Sequence, residues 1–299
     1  MKKIVPLFLI SVLVLSLSAS AFADVVSVKV ASTFRAGIEI PTFVTVPADY
    51  DPSAATDLVI MIHGHGDNHN EFGGYDAISN GLAENGILVV TLDLPGCGDS
   101  AESFQLNTLT NMKNDVVDVL NYMESEYNIA NVGAFGYSMG GRIALEIIAD
   151  GMYEFDSVEF IAPAEDSEDM KNFFGGPENW EVIKAVANEN GFIAYPTIFG
   201  TYELSKEWFD DFTKYPDGLA EAAAEKFSSK PAIVIYAPDD EVIAPSISQG
   251  VADAFGASVF NTYADGHSYG FFNDAPEVAE YVRVISIAFF SNNPAETAT

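Results

Sequence analysis

NVGAFGYSMGG, residues Asn131–Gly141, is the stretch that decides the fold class of this 299-residue chain. It opens with an apolar run, Asn131–Phe135, that has the length and character of a short buried strand. Gly136–Gly140 matches the pattern G-x-S-x-G, and a helical window begins where the match ends. A serine on such a sharp strand-to-helix turn has a strained backbone and an exposed hydroxyl, and small flanking residues let the turn form. The five-residue pattern alone occurs in roughly one chain of this length in ten and is therefore weak evidence. Its setting between a predicted strand and a predicted helix makes it specific.

Short apolar runs and helical windows alternate along the rest of the chain. The predicted strands are Val25–Val30, Thr42–Val46, Asp57–Ile62, Ile87–Leu92, Asn131–Phe135, Ser157–Ile161, Ala232–Ala237 and Ser258–Tyr263. The predicted helices are Tyr75–Glu84, Thr108–Tyr127, Gly140–Ala149, Pro245–Phe255 and Pro276–Phe290. The first two strands predict an antiparallel lead-in, and the continuously apolar later runs indicate strands buried on both faces of a parallel sheet. The chain is therefore predicted to be an α/β protein with a mostly parallel, doubly wound sheet, whose functional groups gather at the carboxyl ends of strands.

One region interrupts this alternation. Residues 164–230 contain no convincing buried strand but are rich in aromatic residues, among them Trp180 and Trp208. We interpret the region as a helical cap inserted over the functional edge of the sheet. Its aromatic side chains are expected to form the core of the cap more often than a wall for substrate. Trp180 and Trp208 are nevertheless candidate substrate-binding residues.

The first 23 residues predict a signal peptide. Lysines at positions 2 and 3 precede the apolar stretch Ile4–Leu17, and Ala21–Ala23 offers a small-x-small cleavage site. The apolar stretch is short for a membrane span, which needs about 20 residues. We expect cleavage to leave residues 24–299 as one catalytic domain, periplasmic or extracellular, without stable membrane insertion.

The charge balance limits the partners. The chain carries 44 Asp and Glu against 13 Lys and Arg, a net charge of −31, which repels nucleic acid as well as anionic lipid. This acidity indicates either adaptation to a salty or cold medium or simply a surface charge that keeps the protein in solution. Cys97 is the single cysteine, so an internal disulfide is impossible, and its Gly-rich loop favours a structural or incidental thiol. The sequence leaves the oligomeric state open.

A serine nucleophile needs a base and an acid that orients it. The chain has histidines at positions 63, 65, 69 and 267. His267 follows the last predicted strand, so its loop should lie at the same sheet edge as Ser138. Asp240 follows the strand before it and is the preferred acid, with Asp239 as the alternative. The order Ser138, Asp240, His267 is a known chain order for such a triad.

Two backbone N–H groups should bind the oxyanion that forms during attack. Met139, directly after the nucleophile, is one candidate donor. The other should come from the HGHGD loop, His63–Asp67, with His65 N–H preferred and the His65 side chain as a wall of the site. His63 and Tyr137 are further candidate substrate-binding residues.

These motifs together resemble the α/β-hydrolase superfamily. His63–Gly64 resembles its His-Gly oxyanion loop, Asp93–Ser100 (DLPGCGDS) its D-x-P-G-x-G-x-S loop, and Gly136–Gly140 its nucleophile elbow, while Asp240 and His267 resemble its acid and base. The resemblance spans about residues 40–290 in the expected order. The oxyanion loop and elbow are similar to those of secreted esterases, lipase-like enzymes and serine aminopeptidase-like members. A serine at the elbow argues against haloalkane dehalogenases and most epoxide hydrolases, which place aspartate there.

The resemblance implies a hydrolase that forms an acyl-enzyme and uses no cofactor. We expect a small-molecule carboxylic ester with an apolar group as substrate, because the cap is aromatic and the acidic surface disfavours anionic substrates. Aminopeptidase or amidase activity and acyl transfer use the same residues and remain alternatives.

Two functions from other classes are alternatives to a serine hydrolase. His63-x-His65-x-Asp67 copies the start of the H-x-H-x-D-H motif of metallo-β-lactamase-like enzymes, but Asn68 stands where that motif needs histidine. A non-catalytic binding protein with the hydrolase fold is the second alternative. Such proteins generally lose a member of the triad, and here all three residue types are present.

Overall fold

The computed structural model describes residues 23–197, 200–272 and 274–291. Its strands are β1 (Asp24–Ala31), β2 (Glu39–Val46), β3 (Thr56–Ile62), β4 (Leu88–Leu92), β5 (Ile129–Tyr137), β6 (Ser157–Ile161), β7 (Phe192–Thr197), β8 (Gly200–Ser205), β9 (Ala232–Tyr236) and β10 (Ser258–Asn261). Its α-helices are α1 (Gly74–Glu84), α2 (Leu109–Glu126), α3 (Met139–Asp150), α4 (Ser167–Phe173), α5 (Pro177–Asn190), α6 (Lys206–Asp211), α7 (Leu219–Lys226), α8 (Pro245–Phe255) and α9 (Pro276–Ser291). The predicted signal peptide lies outside the described residues except for its last position, so it stays a prediction.

The main sheet has eight strands within the described residues, in the order β1-β2-β4-β3-β5-β6-β9-β10. β1 pairs with β2 and β2 with β4 in antiparallel fashion, and the remaining neighbours are parallel. The central strands β4 and β6 are buried along their whole length, including Glu159 of β6, as expected for strands covered on both faces. The predicted fold class, including the antiparallel lead-in, is confirmed.

Helices cover the two faces of this sheet. α1 packs against α9, and α2, α3, α7 and α8 pack one against the next. Successive strand residues point to opposite faces, and β5 shows the two layers directly. Gly133 faces Phe290 of α9, and Gly136 faces the first turn of α3. None of the helices in the described part of the chain is both long and apolar enough to cross a membrane.

The segment between β6 and β9 corresponds to the predicted insertion. It contains α4, α5 and α6, and also a hairpin, β7 and β8, that forms a separate two-stranded sheet. This hairpin was not predicted, because Pro196 cuts short the apolar run Phe192–Tyr195 of β7, and β8 (GTYELS) has no such run. α7 ends the segment and packs against α3 and α8, so it belongs to the helix layer of the main sheet.

Candidate active site

Ser138 stands between the end of β5 and the first residue of α3. Its backbone has φ 53° and ψ −116°, a left-handed conformation that is uncommon for a residue with a side chain. The turn is tight on both sides of the serine. A Cβ on Gly140 would lie 2.0 Å from the carbonyl oxygen of Ile62, and one on Gly136 would lie 2.7 Å from that of Gly140. The two glycines of the motif are thus required by the close approach of backbone to backbone.

The loop after β10 brings His267 to this serine. His267 Nε2 lies 3.0 Å from Ser138 Oγ, and His267 Nδ1 lies 2.7 Å from Asp240 Oδ2. With the proton on Nδ1, the ring donates to the carboxylate and its Nε2 accepts from the serine hydroxyl. This is the arrangement that lets an imidazole take a proton from a hydroxyl and be stabilised as it becomes charged.

Asp240, in the loop after β9, is held by several donors. Its Oδ1 accepts from the backbone N–H groups of Val242 and Ile243, each at 2.9 Å, and its Oδ2 accepts from the Tyr269 hydroxyl at 2.8 Å. The Asp240 side chain is fully buried. Burial and the neighbouring Asp240 charge raise the pKa of Tyr269, so this hydroxyl keeps its proton for the carboxylate.

Asp239, the alternative acid, is exposed and points elsewhere. Its Oδ1 accepts from the N–H groups of Asp265 and Gly266 at 3.1 and 3.3 Å. Asp239 therefore ties down the loop that carries His267, and the carboxylate that contacts the imidazole is Asp240.

The loop after β3 carries the second predicted oxyanion donor, His65 N–H. The Gly64–His65 peptide is fixed by His63, whose Nδ1 lies 2.7 Å from Gly64 O and whose Nε2 accepts from Leu94 N at 3.2 Å. Because C=O and N–H of a trans peptide point in opposite directions, this bond also sets the direction of His65 N–H. Burial lowers the pKa of His63 to about 4, so the ring is neutral in this role.

A cavity of about 380 Å³ opens over Ser138. Ser138, His267 and both residues with predicted oxyanion donors, His65 and Met139, line it. The other lining residues are mostly apolar or small: Gly64, Gly66, Asp67, Glu71, Phe72, Tyr137, Ala164, Met170, Phe173, Thr197, Tyr202, Val242, Ile243, Ser268, Phe272 and Asp274. Several of them belong to the insertion, which therefore forms one wall of the cavity.

The four predicted substrate-binding residues differ in their position relative to the cavity. Tyr137 lines the cavity, and its hydroxyl donates to the carbonyl oxygen of His267 at 2.5 Å. His63 is buried behind the oxyanion loop and does not line the cavity, because both its ring nitrogens hold backbone groups. Trp180 and Trp208 do not line the cavity either. Both are buried in the aromatic core of the insertion, packed on Phe174 and on each other.

The residues of the metallohydrolase-like pattern do not form a common ligand set. His63 uses both nitrogens on backbone, and His65 packs its ring against Phe104, Tyr202 and Trp208. Within the ranges that the structure describes, no group of three or more His, Cys, Asp or Glu side chains is placed to hold a metal ion.

Sequence reasoning missed several cavity residues. Phe72, Phe173, Tyr202 and Glu71 were not named as site residues, and Asp67 was noted only as part of the oxyanion loop and of the metallohydrolase-like pattern. Tyr202 reaches the site from β8, where its hydroxyl packs against Gly66 and its ring stacks on Phe104 at 4.6 Å. No local pattern distinguishes such residues, since only the folded insertion brings them to the cavity.

Comparison with known families gives a partial match. Residues 53–188 match the Hydrolase_4 family, described as serine aminopeptidase, S33. A curated relative, the dihydrolipoyllysine-residue acetyltransferase component of the acetoin cleaving system of Pseudomonas putida, is 31% identical over 107 residues. That match covers 36% of this chain and 26% of the relative, so it spans about a quarter of the relative's length.

Solved structures resemble nearly the whole chain. Est1E from Butyrivibrio proteoclasticus with bound ferulic acid has a TM-score of 0.67 at 17% identity, covering 88% of this chain and 99% of that one. A carboxyl esterase from Bacillus coagulans in complex with glycerol has a TM-score of 0.65 at 15% identity, with 89% and 98% covered. A bromoperoxidase from Bacillus anthracis has a TM-score of 0.59 at 17% identity, with 88% and 100% covered. At these identities the likeness concerns the fold alone.

Proposed function

We propose that this chain, whose match to the Hydrolase_4 family and fold support a place in the α/β-hydrolase superfamily, is a serine hydrolase that cleaves carboxylic esters with an apolar group. The observation that carries the proposal is the chain of contacts from Ser138 Oγ to His267 Nε2 at 3.0 Å and from His267 Nδ1 to Asp240 at 2.7 Å. These three side chains come from three separate loops, and they meet beside a cavity large enough for a small molecule.

Acylation begins at the serine. Ser138 Oγ attacks the ester carbonyl carbon while its proton passes to His267 Nε2, and Asp240 stabilises the imidazolium. The carbonyl oxygen becomes an oxyanion, which the N–H groups of Met139 and His65 bind. The intermediate collapses, the alcohol leaves with the proton from His267, and the acyl group remains on Ser138.

Deacylation repeats the steps with water. A water molecule gives its proton to His267 Nε2 and attacks the acyl carbonyl, and the second tetrahedral intermediate is bound by the same N–H groups. Its collapse returns the proton to Ser138 Oγ and releases the carboxylic acid. Such an enzyme follows ping-pong kinetics.

The lining of the cavity supports an apolar acyl or alcohol group. Phe72, Phe173 and Phe272 line it together with Met170 and Ile243. Burying hydrocarbon against these side chains is favourable by about 25 cal/mol per Å² of apolar surface removed from water. Est1E and the carboxyl esterase, which share the fold, are named as esterases or as binding a carboxylic acid. We therefore favour esters over peptides.

Replacing the nucleophile is the first test. Ser138→Ala should lower kcat on a p-nitrophenyl ester by on the order of 10⁴–10⁶, with KM and thermal unfolding little changed. Ser248→Ala, which alters a buried serine of α8 away from the cavity, is the matched control and should keep full turnover. Near-normal turnover by Ser138→Ala would falsify the proposal.

The neighbouring aspartates provide a second comparison in the same assay. Asp240→Asn removes the carboxylate that orients His267 and should lower kcat by roughly 10⁴. Asp239→Asn changes only an exposed side chain that holds the His267 loop, and it should cost less than about tenfold. Equal losses in the two variants would mean that the acid is assigned incorrectly.

An aminopeptidase-like activity is the second candidate, and the match of residues 53–188 to the serine aminopeptidase family favours it. A panel of p-nitrophenyl esters against aminoacyl p-nitroanilides separates the two by kcat/KM. Acyl transfer is tested in the same samples by adding an alcohol acceptor and looking for a new ester among the products.

Export is part of the proposal and rests on the sequence of residues 1–23. Expression of the full chain in a bacterium with a Sec pathway should give a product outside the cytoplasm whose N-terminus is Asp24. A product that keeps Met1 at its N-terminus would contradict this.

A further inference from the structure

Two acidic side chains that take no part in the triad lie in the wall of the cavity. Glu71 and Asp67 are 2% and 7% exposed, and their carboxyl groups lie close enough to share a hydrogen bond. Two carboxylates cannot share a hydrogen bond unless one of them carries a proton. The contact therefore describes a pair with one proton and one negative charge.

Glu71 also reaches the oxyanion loop. Its Oε2 accepts from the N–H of Gly64 at 2.8 Å. Gly64 is thus held from both sides, by Glu71 at its N–H and by His63 at its carbonyl oxygen. The next N–H along the chain is that of His65, one of the two groups assigned to the oxyanion.

The backbone around Glu71 is strained in a way that favours this contact. Glu71, Phe72 and Gly73 have φ values of 47°, 53° and 92°, three left-handed residues in succession. For the two that carry side chains this conformation is strained. Asp67 holds the same turn, because it accepts from the N–H groups of Asn68 and Phe72. Strain that the surroundings maintain in the wall of an active site points to a functional role.

We propose that the Asp67–Glu71 pair is a positioning device for the oxyanion site, which fixes Gly64 and hence the His65 N–H for as long as the pair retains one proton. The inference deepens the proposed function and rests on it. Glu71 is a positioning residue, because it acts through Gly64 and does not touch the reacting atoms.

Loss of the shared proton should weaken the device. Burial, and then the nearby Asp67 charge, raise the pKa of Glu71 well above its usual value, and burial raises that of Asp67. When the last proton leaves at alkaline pH, two carboxylates face each other in a buried site and repel. Either the turn opens or Glu71 moves away from Gly64, and in both cases Gly64 loses one of its two anchors, so the His65 N–H is oriented less firmly.

Burial lowers the pKa of His63 and His65, which lie on the same loop as the pair, to about 4, so neither ring is charged at neutral pH. His69 on that loop has its Nδ1 2.9 Å from Asp93 Oδ1. Further titratable groups near the pair lie on other elements. They come from α1, the loop after β4, β5 and β8, and they are Tyr75, Asp93, Cys97, Tyr137 and Tyr202. Burial raises the pKa of the tyrosines and of Cys97, that of Tyr202 to about 12. Burial acts on Asp93 in the same sense, but hydrogen bonds from His69 and Asp99 lower its pKa overall. No Lys or Arg in the described ranges forms an ion pair with Asp67 or Glu71 to hold both carboxylates charged.

The first measurement tests whether Glu71 holds the oxyanion loop at Gly64. Glu71→Ala should lower kcat by roughly 10–10², a part of the 10²–10³ that one oxyanion donor contributes, with little change in KM. Affinity for an alkyl trifluoromethyl ketone, whose adduct with Ser138 carries an oxyanion, should fall by a similar factor. If turnover depends on Ser138 but Glu71→Ala changes neither kcat nor this affinity, the inference is overturned. The proposed function then remains intact.

The second measurement uses variants that keep the pair's geometry. Glu71→Gln and Asp67→Asn replace the shared proton by an amide hydrogen that cannot be lost, so the decline of kcat on the alkaline side should move to higher pH. Profiles from about pH 6 to about pH 10 report this shift. Glu159→Gln, which replaces a buried carboxyl outside the cavity, is the matched control and should follow the wild-type profile. Superimposable profiles of wild type, Glu71→Gln and Asp67→Asn would show that the pair does not act through its proton. If Ser138→Ala retains turnover, the proposed function fails first and on separate grounds.

Discussion

Glu159 shows what one buried carboxyl contributes at the scale of a single residue. It lies in β6 with its side chain fully buried against α9, where the Ser286 hydroxyl donates to its Oε1 at 2.6 Å. Its Oε2 has no hydrogen-bond partner among the described residues. Burial raises the pKa of Glu159 to about 8. At neutral pH the folded protein therefore holds this group protonated, since an unpaired buried charge is costlier than a neutral acid.

This pKa leads to a pH-dependent stability. In the unfolded chain the carboxyl ionises near 4.5, and in the folded protein near 8. The stability associated with the neutral carboxyl is thus fully present below pH 4.5 and is lost progressively up to about pH 8. Glu159→Gln removes the titration, so its unfolding free energy relative to wild type should rise over that interval and then level off. The upper bound of the gain is roughly 3–5 kcal/mol.

Urea unfolding at a series of pH values measures the effect. Glu84→Gln changes an exposed glutamate on α1 and should leave the pH dependence as it is in wild type. Parallel curves for wild type and Glu159→Gln would mean that Glu159 is ionised in the folded protein, against the assignment above.

Residues of the site differ in how far the sequence could predict them. Ser138, Asp240 and His267 each follow a strand that an apolar run identifies, and parallel strands end at one edge, so their meeting could be expected. Glu71 lacks such a signal. It reaches Gly64 only because residues 71–73 adopt left-handed conformations, which no propensity predicts for Glu or Phe.

At the scale of elements, the burial of a strand determines how clearly its sequence identifies it. Strands such as β4 and β6 are covered on both faces, and their apolar runs gave nearly the correct boundaries. β7 and β8 pair with each other in a separate sheet and remain partly exposed, and the short apolar run of β7, Phe192–Tyr195, ends at Pro196. The aromatic residues of the same segment form its core, as expected, and Trp180 and Trp208, the two candidate substrate contacts, are buried in that core.

The insertion should behave as an element with its own aromatic core. Trp180 is 3% exposed and packs on Phe174, Trp208 and Phe209. Trp180→Ala should lower the free energy of unfolding by about 3–5 kcal/mol. Phe173→Ala is the contrasting variant, because Phe173 lines the cavity and is 44% exposed. It should raise KM for an apolar ester and leave thermal unfolding nearly unchanged. The reverse assignment of effects, with Trp180→Ala altering only KM, would place Trp180 in contact with substrate.

At the scale of the whole molecule, negative charge is far in excess. Lys and Arg side chains of the described residues form ion pairs with carboxylates at nine or more positions, so few cations are left to neutralise other acids. Some cations serve two acids at once, as Arg35 does with Glu102 and Asp115. The remaining carboxylates repel one another over the surface, and this self-repulsion disfavours the compact state.

Added salt should therefore stabilise the protein. Raising ionic strength from about 0.01 M to about 0.15 M shortens the Debye length from about 30 Å to about 8 Å, which screens repulsion between separated surface charges but changes buried pairs little. With a net charge of −31, the Tm should rise by about 2–4 °C for each kcal/mol of repulsion removed. Thermal unfolding followed by circular dichroism measures this. Sodium chloride and choline chloride should act alike, because screening depends on ionic strength and not on the cation. A Tm that stays constant or falls with salt would show that the favourable ion pairs outweigh the repulsion among the excess carboxylates.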